Sequence, residues 1–319
     1  MRRRSFLAAL ASSPAVASAQ PALRDVGFIH PGGADSMQPR LAAFADGLSR
    51  RGFVEGRNVT VIARAADYDK ARIAAYVDEL VRRDVAAILA VGPQVVQQTR
   101  AATSTIPIVG LDLESDPVKS GFVQSLSHPG GNLTGLFFDF PEFSGKWLEI
   151  LGEIIPGLER VGVLWDPGTG SVQLDALVEV AARRGVKLQV LKVEQPNQID
   201  GAFAAAKSQS QAVLALSSPV FGSLTPQVAE AALRHHMPSI MLFPEYGAAG
   251  GLIAYGTDLF DLFRQAGEIV GKVLAGAKPA DLPVERPSRF RLVVNLRTAK
   301  TLGLVIPPVI LLRADEVIE

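Results

Sequence analysis

The first residues that could do chemistry form the run His30-Pro31-Gly32-Gly33, which follows a short apolar stretch of the chain. Its two glycines would let the backbone approach a ligand closely, and the helix expected after them would offer free amides to an anion. The run lacks the spacing of a Walker loop and of a dinucleotide-binding fingerprint, so an ordinary strand-to-helix turn is the competing interpretation. Similar turns supply the further candidates Gly92, Pro93, Gln94, Glu114, Asp116, Trp165, Asp166, Ser217, Ser218, Phe221 and Tyr246.

Together these candidates suit a small acid or amino acid that carries an apolar or aromatic group. Ser217 and Ser218 could donate hydroxyl hydrogen bonds to a carboxylate, as could the amides of the glycine-bearing turns. Glu114 could accept an ammonium group, and Asp116 could do the same or cap a helix, because Pro117 follows it. Rings for stacking would come from Trp165, Phe221 and Tyr246. A sugar is the competing ligand, since aromatics and acids also line sugar sites.

Catalysis and metal binding lack a recognisable constellation in this sequence. The four histidines form neither an HExxH motif nor a spaced metal cluster. A GxSxG nucleophile elbow is absent, and the lack of cysteine excludes thiolate ligands and a CxxC redox site. We therefore expect a binding protein without catalytic residues, cofactor or metal. The alternative is a secreted α/β hydrolase, which would need a nucleophile and a base within hydrogen-bond reach at the crevice.

The composition favours two globular lobes and argues against nucleic acid as a partner. The chain has 319 residues, of which 48% are hydrophobic and 20% charged, enough to bury a large core. Lys and Arg together number 32, as do Asp and Glu, so the formal net charge is zero. Binding to a polyanion is typically signalled by basic residues that cluster with aromatics on one face, and this sequence shows no such cluster.

The N-terminus has the features of a signal peptide. Residues 2–4 are arginines, an apolar stretch follows, and Ala17-Ser18-Ala19 is a small-residue cleavage site. We expect cleavage after Ala19 and release into the periplasm, because without a cysteine the mature chain has no site for a lipid anchor. Residues 3–7 also match the twin-arginine pattern, so the export route stays open. No later apolar run reaches the roughly 20 residues that a membrane-spanning helix needs.

Short β-branched runs alternate with amphipathic helical stretches from residue 26 onward, which is typical of βαβ units around parallel sheets. Two such series predict an α/β protein with two doubly wound lobes. In open α/β sheets the ligand lies outside the carboxyl ends of the strands, so candidates that follow the strands should share one crevice. The predicted strands cover residues 26–29, 59–63, 86–91 and 106–111 in the first series and 160–165, 187–193, 212–216 and 239–242 in the second.

The chain is expected to cross between the lobes three times, forming a hinge that closes on the ligand. Residues 259–274 carry the clearest helical stripe, which we place back on the first lobe. Segments suited to crossings lie at residues 130–138, 250–257 and 278–287. The predicted first lobe comprises residues 20–137 and 257–287, and the second comprises 138–256 and 288–319.

Five stretches of the sequence resemble the ABC-transporter substrate-binding proteins grouped with the tryptophan-binding periplasmic components. They are RVGVLWDP at residues 160–167, GGLIAYG at 250–256, the C-terminal run from residue 273, and residues 47–61 and 102–136. The resemblance covers essentially the whole mature chain. It implies a type I periplasmic binding protein with a three-crossing hinge and a ligand closed between the lobes. Its partners would be an ABC permease and ATPase, with the protein itself a monomer; a periplasmic sensor without transport is the remaining alternative.

Overall fold

The computed structural model describes residues 23–138 and 140–319, and the predicted leader at residues 1–19 lies outside them. None of the helices in that part of the chain is both long and apolar enough to cross a bilayer. Two separate sheets, each flanked by helices, form two lobes. The prediction of an α/β fold with two parallel-sheet lobes is confirmed.

The first lobe is built on a five-stranded parallel sheet. Its strands are β1 (Arg24–His30), β2 (Val59–Ala65), β3 (Ala87–Val91), β4 (Ile108–Asp112) and β5 (Leu133–Phe137). The helices between them are α1 (Ala34–Arg50), α2 (Lys70–Arg82) and α3 (Pro93–Ala102). The strand order is β2-β1-β3-β4-β5. Strands β3 and β4 are buried along their whole length, as expected of strands that helices cover on both faces.

The second lobe is built on a seven-stranded sheet. Its strands are β6 (Arg160–Trp165), β7 (Lys187–Lys192), β8 (Ala212–Ala215), β9 (Ser239–Met241), β10 (Ile253–Gly256), β11 (Arg291–Asn295) and β12 (Glu316–Ile318). The order is β12-β11-β10-β9-β8-β6-β7, and only the β10–β11 pair is antiparallel within it. The remaining helices are α4 (Phe140–Ile154), α5 (Val172–Arg184), α6 (Ile199–Gln209), α7 (Pro219–Ser223), α8 (Thr225–Arg234), α9 (Glu245–Ala248), α10 (Leu259–Leu274), α11 (Leu296–Thr301) and α12 (Pro308–Arg313).

Helix α10 packs on α1 and on the first sheet, although strands of the second sheet precede and follow it. The two helices approach so closely that a Cβ on Gly47 would lie 1.9 Å from the Arg264 carbonyl oxygen. A Cβ on Gly267 would lie 2.2 Å from the Phe44 carbonyl oxygen, so only glycine fits on either side of this contact. The chain therefore leaves the first lobe, returns to it with α10, and leaves it again.

The chain passes between the two sheets three times. Residues 133–137 form the edge strand β5 beside β4, because an extended apolar run can complete a sheet as readily as it can leave one. The chain therefore leaves the first sheet only after Phe137. It crosses again between Gly256 and Leu259, and a third time between Glu285, which bridges to Leu136 of β5, and the start of β11.

Candidate functional site

A cavity of about 250 Å³, here called the main cavity, lies between the carboxyl ends of the strands of the two sheets. Loops after β1, β2 and β3 form its first-lobe wall, and loops after β6, β7 and β8 form the opposite wall. Its lining residues are Pro31, Tyr68, Lys70, Ile73, Val91, Gly92, Pro93 and Gln94 from the first lobe, and Asp166, Gly168, Thr169, Glu194, Gln195, Pro219 and Val220 from the second.

A smaller cavity of about 30 Å³, here called the inner cavity, adjoins the main one and shares Val91, Gly92 and Pro219 with it. This volume is enough for about one water molecule. Its other lining residues are His30, Arg40, Leu111, Leu113, Glu114, Leu259 and Phe263 from the first lobe, and Ser218, Gly222, Ser223 and Phe243 from the second.

Direct hydrogen bonds join the two lobes across the cleft. The Ser217 hydroxyl donates to Glu114 Oε1 at 2.6 Å. Arg40 Nη2 donates to the Gly222 carbonyl oxygen at 2.9 Å, and Gln94 Nε2 donates to that of Gly168 at 3.3 Å. These contacts require the carboxyl ends of the two sheets to face each other at close range, which means that the lobes are closed.

The glycine loop after β1 lies at this contact but does not offer the expected free amides. His30 is 2% exposed, and its Nδ1 accepts the Gly32 amide at 3.0 Å. Burial and the nearby positive charge of Arg40 lower the pKa of His30 to about 3, so its ring is neutral. A Cβ on Gly32 would lie 2.8 Å from Ser223 Oγ of the other lobe. Gly33 precedes α1 and lines neither cavity.

The loop after β3 forms the partition between the two cavities. Gly92 has φ of 81°, a backbone conformation that favours glycine, and a Cβ there would lie 2.8 Å from Pro219 Cγ. Its amide donates to the Leu111 carbonyl oxygen at 2.8 Å, so this predicted anion donor is also occupied within the lobe. Pro93 and Gln94 line the main cavity beside it.

Two buried carboxyl groups stand where β4 ends. Oδ1 of the fully buried Asp112 accepts the amides of Glu114 and Ser115, while its Oδ2 has no donor among the described residues. Glu114 is 3% exposed and lines the inner cavity. Burial, and then the negative charge of Asp112, raise the pKa of Glu114 well above its usual range. A protonated Glu114 can donate to Asp112, so we expect the pair to share one proton.

Asp166, in the loop after β6, lies on the second-lobe wall of the main cavity. Its Oδ1 accepts the Gly168 amide at 2.8 Å, and its Oδ2 accepts the Ser218 hydroxyl at 2.7 Å. Burial raises the pKa of Asp166, and the positive charge of Lys70 on the first-lobe wall acts in the opposite direction. The main cavity thus has an acid on one lobe and an amine on the other.

Three predicted stacking aromatics line neither cavity, so their expected placement at the mouth is wrong. Phe221 and Tyr246 are completely buried in the core, where the Tyr246 hydroxyl lies 2.6 Å from Ser239 Oγ. Burial raises the pKa of Tyr246. The Trp165 indole turns back to donate to the Gly170 carbonyl oxygen at 2.9 Å. The physical reason is that Phe221 and Tyr246 lie in α7 and α9, short helices that follow strand ends, and a helical side chain can point into the core as readily as into the crevice.

Asp116 has the capping role that the sequence analysis gave as its alternative, and it does not lie in the cleft as a ligand contact. Its Oδ1 accepts the amides of Val118 and Lys119 at 3.0 and 3.1 Å, which closes the turn after Pro117. Its side chain lines neither cavity. The short polar side chain of an aspartate before a proline meets its nearest donors in its own turn.

The structure adds cleft residues that the sequence analysis missed. Tyr68 and Lys70 follow β2, and Glu194 follows β7, so the strand-end rule applied to every strand would have found them. Arg40 lies on the buried stripe of α1 with Met37 and with residues 44 and 48. A basic residue on an apolar stripe is the signal that could have revealed it.

The described contacts do not assemble the nucleophile and base of a hydrolase from the candidates. The Ser217 and Ser218 hydroxyls both donate to carboxyl groups, and the His30 ring accepts a backbone amide instead of a serine hydroxyl. Within the described residues, no group of three or more His, Asp or Glu side chains is arranged to hold a metal ion.

Known proteins with the same architecture include both ligand-bound and ligand-free forms. The tyrosine-binding protein of Clostridioides difficile (strain R20291) is 24% identical over 271 residues, which cover 84% of this chain and 78% of the relative. The crystal structure of the ABC domain in complex with L-Trp from Streptococcus pneumonia matches with a TM-score of 0.84 at 24% identity, over 93% of this chain and 100% of that chain. The ligand-free, open structure of a substrate binding protein from Clostridium difficile, also 24% identical, covers 92% of this chain and 99% of that chain with a TM-score of 0.65.

These likenesses show the type I periplasmic binding protein fold that the sequence resemblance implied. The family model for ABC transporter substrate binding proteins matches residues 25–318, nearly the whole described chain. The chain therefore belongs to the ABC transporter substrate binding protein family, a family of solute-binding proteins and not of enzymes.

Proposed function

We propose that this protein is the extracytoplasmic solute-binding subunit of an ABC importer and that it captures a small carboxylate or amino acid. The observation that carries the proposal is the main cavity of about 250 Å³ between the two lobes. This volume is slightly below the roughly 300 Å³ at which small-molecule pockets begin, so the cavity suits a small ligand. A molecule bound there contacts both lobes at once, as a receptor that closes on its ligand requires.

The walls of the main cavity favour an amino acid with an apolar or aromatic side chain. Asp166 on the second lobe can accept an ammonium group, and Lys70 adds a positive charge to the first-lobe wall. Tyr68, Ile73 and Val220 offer a ring and aliphatic surface to the remainder of the ligand. The tyrosine-binding relative and the L-Trp complex support an aromatic amino acid among these.

Delivery to a membrane permease with its ATPase is the role that we infer from the family and the predicted leader. The leader would be removed after Ala19, and the mature monomer would act in the periplasm. Mass spectrometry of the periplasmic fraction tests export, since a mature chain that still begins at Met1 or Arg2 would contradict it.

A ligand screen of the leader-free protein by thermal shift, followed by isothermal titration, tests the ligand class. The panel holds aromatic and aliphatic amino acids, the corresponding acids without an amino group, and neutral sugars. A ligand at 100 times its Kd should add about 2.7 kcal/mol to the free energy of unfolding. We expect amino acids with apolar side chains to give the largest shifts. Tight binding of a sugar, without any response to acids or amino acids, would overturn the assignment.

A pair of tyrosine variants tests whether the ligand binds in the main cavity. Tyr68→Ala should weaken binding of an aromatic amino acid by about tenfold, because it removes the ring from the cavity wall. Tyr76→Ala is the matched control, since Tyr76 belongs to the same lobe, contacts the Arg64 guanidinium and lines neither cavity. Equal affinity of both variants would place the ligand elsewhere.

A further inference from the structure

The guanidinium of Arg40 is a buried charge in the cleft without a counter-ion in contact. Arg40 is 7% exposed and lines the inner cavity. Two of its five N–H donors are taken by carbonyl oxygens, those of Ser36 in its own helix and Gly222 of the other lobe. No carboxylate among the described side chains forms an ion pair with it. A buried charge is stable only when it is paired and hydrogen-bonded, so this site is incomplete as it stands.

The neighbouring titratable groups offset that positive charge only in part. His30 shares the inner cavity and is neutral, because burial lowers its pKa to about 3. Glu114 is the acid that lines the cavity, and burial raises its pKa well above the usual range. Glu245 attracts Arg40 from beyond the cavity, but burial raises its pKa too. The inner cavity therefore has the electrostatic character of an anion site.

We propose that Arg40 receives the carboxylate of the ligand, deepening the proposed function on which this inference rests. The other predicted carboxylate donors are already used: the amides of Gly32 and Gly92 bond within their own lobe. The inner cavity is too small for a carboxylate in the closed arrangement described here. It shares Val91, Gly92 and Pro219 with the main cavity, and Gly92 and Pro219 belong to opposite lobes, so we expect a slightly wider closure to join the two spaces.

The surroundings select a carboxylate among small anions. A guanidinium presents two parallel N–H groups that match the two oxygens of a carboxylate. The rest of the inner cavity is largely apolar, with Leu113, Phe243 and Phe263 on its walls, so it suits a small planar group with a single negative charge. The ammonium group of an amino acid held in this way would lie towards Asp166, whose carboxyl bonds Ser218 at the edge of the inner cavity.

Matched acids and amides test this assignment. Isothermal titration would compare L-tryptophan with L-tryptophanamide, and L-tyrosine with L-tyrosinamide, on the wild-type protein, Arg40→Met and Arg40→Lys. The wild-type protein should bind the acids about 10- to 100-fold more tightly than the amides. Arg40→Met should bring that ratio close to one, and Arg40→Lys should keep part of it. Arg72→Met is the matched control, because Arg72 lies in the same lobe and is exposed, and it should leave the ratio unchanged.

The ratio of acid affinity to amide affinity distinguishes carboxylate recognition by Arg40 from a general loss of lobe closure. If Arg40→Met only weakens the contact with Gly222, acids and amides lose affinity together and the ratio persists, which would overturn the proposal. Equal binding of acids and amides by the wild-type protein would overturn it as well, while leaving an amino-acid receptor intact. A wild-type protein that binds neither acids nor amides would overturn both this inference and the ligand class of the proposed function.

Discussion

The two lobes face the cleft with opposite charge. The first lobe contributes the cations Arg40 and Lys70, while burial raises the pKa of Glu114, the acid lining its inner cavity, well above the usual range. The second lobe contributes Asp166 and Glu194. Neither wall by itself complements a zwitterion, so a molecule with both charges finds all its partners only when the lobes close. The opposite charges of the two walls therefore indicate that ligand binding is coupled to closure of the lobes.

Removing the charge of the second-lobe wall should have the largest effect on binding. Asp166→Asn keeps an acceptor for the Ser218 hydroxyl but loses the negative charge that would face an ammonium group. We expect the affinity for the best amino acid of the screen to fall by about 2–5 kcal/mol, as measured by isothermal titration.

The matching acid without an amino group sharpens this test, because its affinity should change little in Asp166→Asn. Glu179→Gln is the control on the same lobe, since Glu179 is exposed on α5 and pairs with Arg183. An unchanged affinity of Asp166→Asn for the amino acid would contradict the assignment of the ammonium group to the second lobe.

A pH dependence should come from the first-lobe wall. Closure covers Glu114 with the second lobe and brings Asp166 near it, and both effects raise the pKa of Glu114, while the hydrogen bond from Ser217 lowers it. Burial is the largest of these causes, so we expect the closed pKa to exceed the pKa in the open cleft. Closure is therefore accompanied by proton uptake at Glu114. The contribution of this protonation to ligand affinity is fully present below the open-state pKa of Glu114 and is lost as pH rises through its closed-state pKa. Titrations from about pH 5 to about pH 9 should show affinity falling by up to tenfold per pH unit within that window.

Glu114→Gln isolates this effect from other titrating groups. Its amide can donate to Asp112 and accept the Ser217 hydroxyl without a proton, so the affinity should stay near its low-pH value at every pH. His30, which shares the inner cavity, stays neutral over this range because its pKa is lowered to about 3. Asp116→Asn, in the exposed turn of the same loop, should titrate like the wild-type protein. Parallel profiles for Glu114→Gln and the wild-type protein would contradict the shared proton.

The smallest effect is expected at Tyr246, because this residue packs in the core and does not line the cleft. Tyr246→Phe removes only the hydroxyl that contacts Ser239 in the core of the second lobe. Urea unfolding should report a loss of about 1 kcal/mol in the free energy of unfolding. Titration should report unchanged ligand affinity, since Tyr246 lines neither cavity. Weaker ligand binding by Tyr246→Phe at unchanged stability would show that Tyr246 contributes to the binding site.

The sequence predicted the sheets more successfully than the side chains that face the cleft. Strand β1 at Arg24–His30 and strand β6 at Arg160–Trp165 lie where β-branched runs indicated them, because a parallel strand covered on both faces must be apolar throughout. That same continuity removes the alternation that would show which way a strand-end ring points. Trp165, the last residue of β6, was therefore assigned to the mouth, although its indole donates to the Gly170 carbonyl oxygen. Phe221 and Tyr246, in the short helices α7 and α9, were assigned to the mouth although they pack in the core.

Glu114 and Asp116 show the same limit for charged residues. Both follow β4, and both were candidates to accept an ammonium group, with capping as the alternative for Asp116; Glu114 bonds across the lobes and Asp116 closes its own turn. The difference depends on where the second lobe sits when closed, which the local sequence does not encode. Arg40 was missed for the related reason that it reaches the cleft from the middle of a helix and not from a strand end.

The central claim, that the lobes close around a small amino acid, is tested most directly by small-angle X-ray scattering against a trapped closed form. Gly32→Cys with Ser223→Cys should cross-link the lobes, because a Cβ at residue 32 would lie 2.8 Å from the Ser223 Oγ position. We predict that the free protein has a larger radius of gyration than the oxidised double variant, and that a saturating amino acid brings it to the trapped value. A free protein that already matches the trapped form, or a radius unchanged at saturation, would contradict the account.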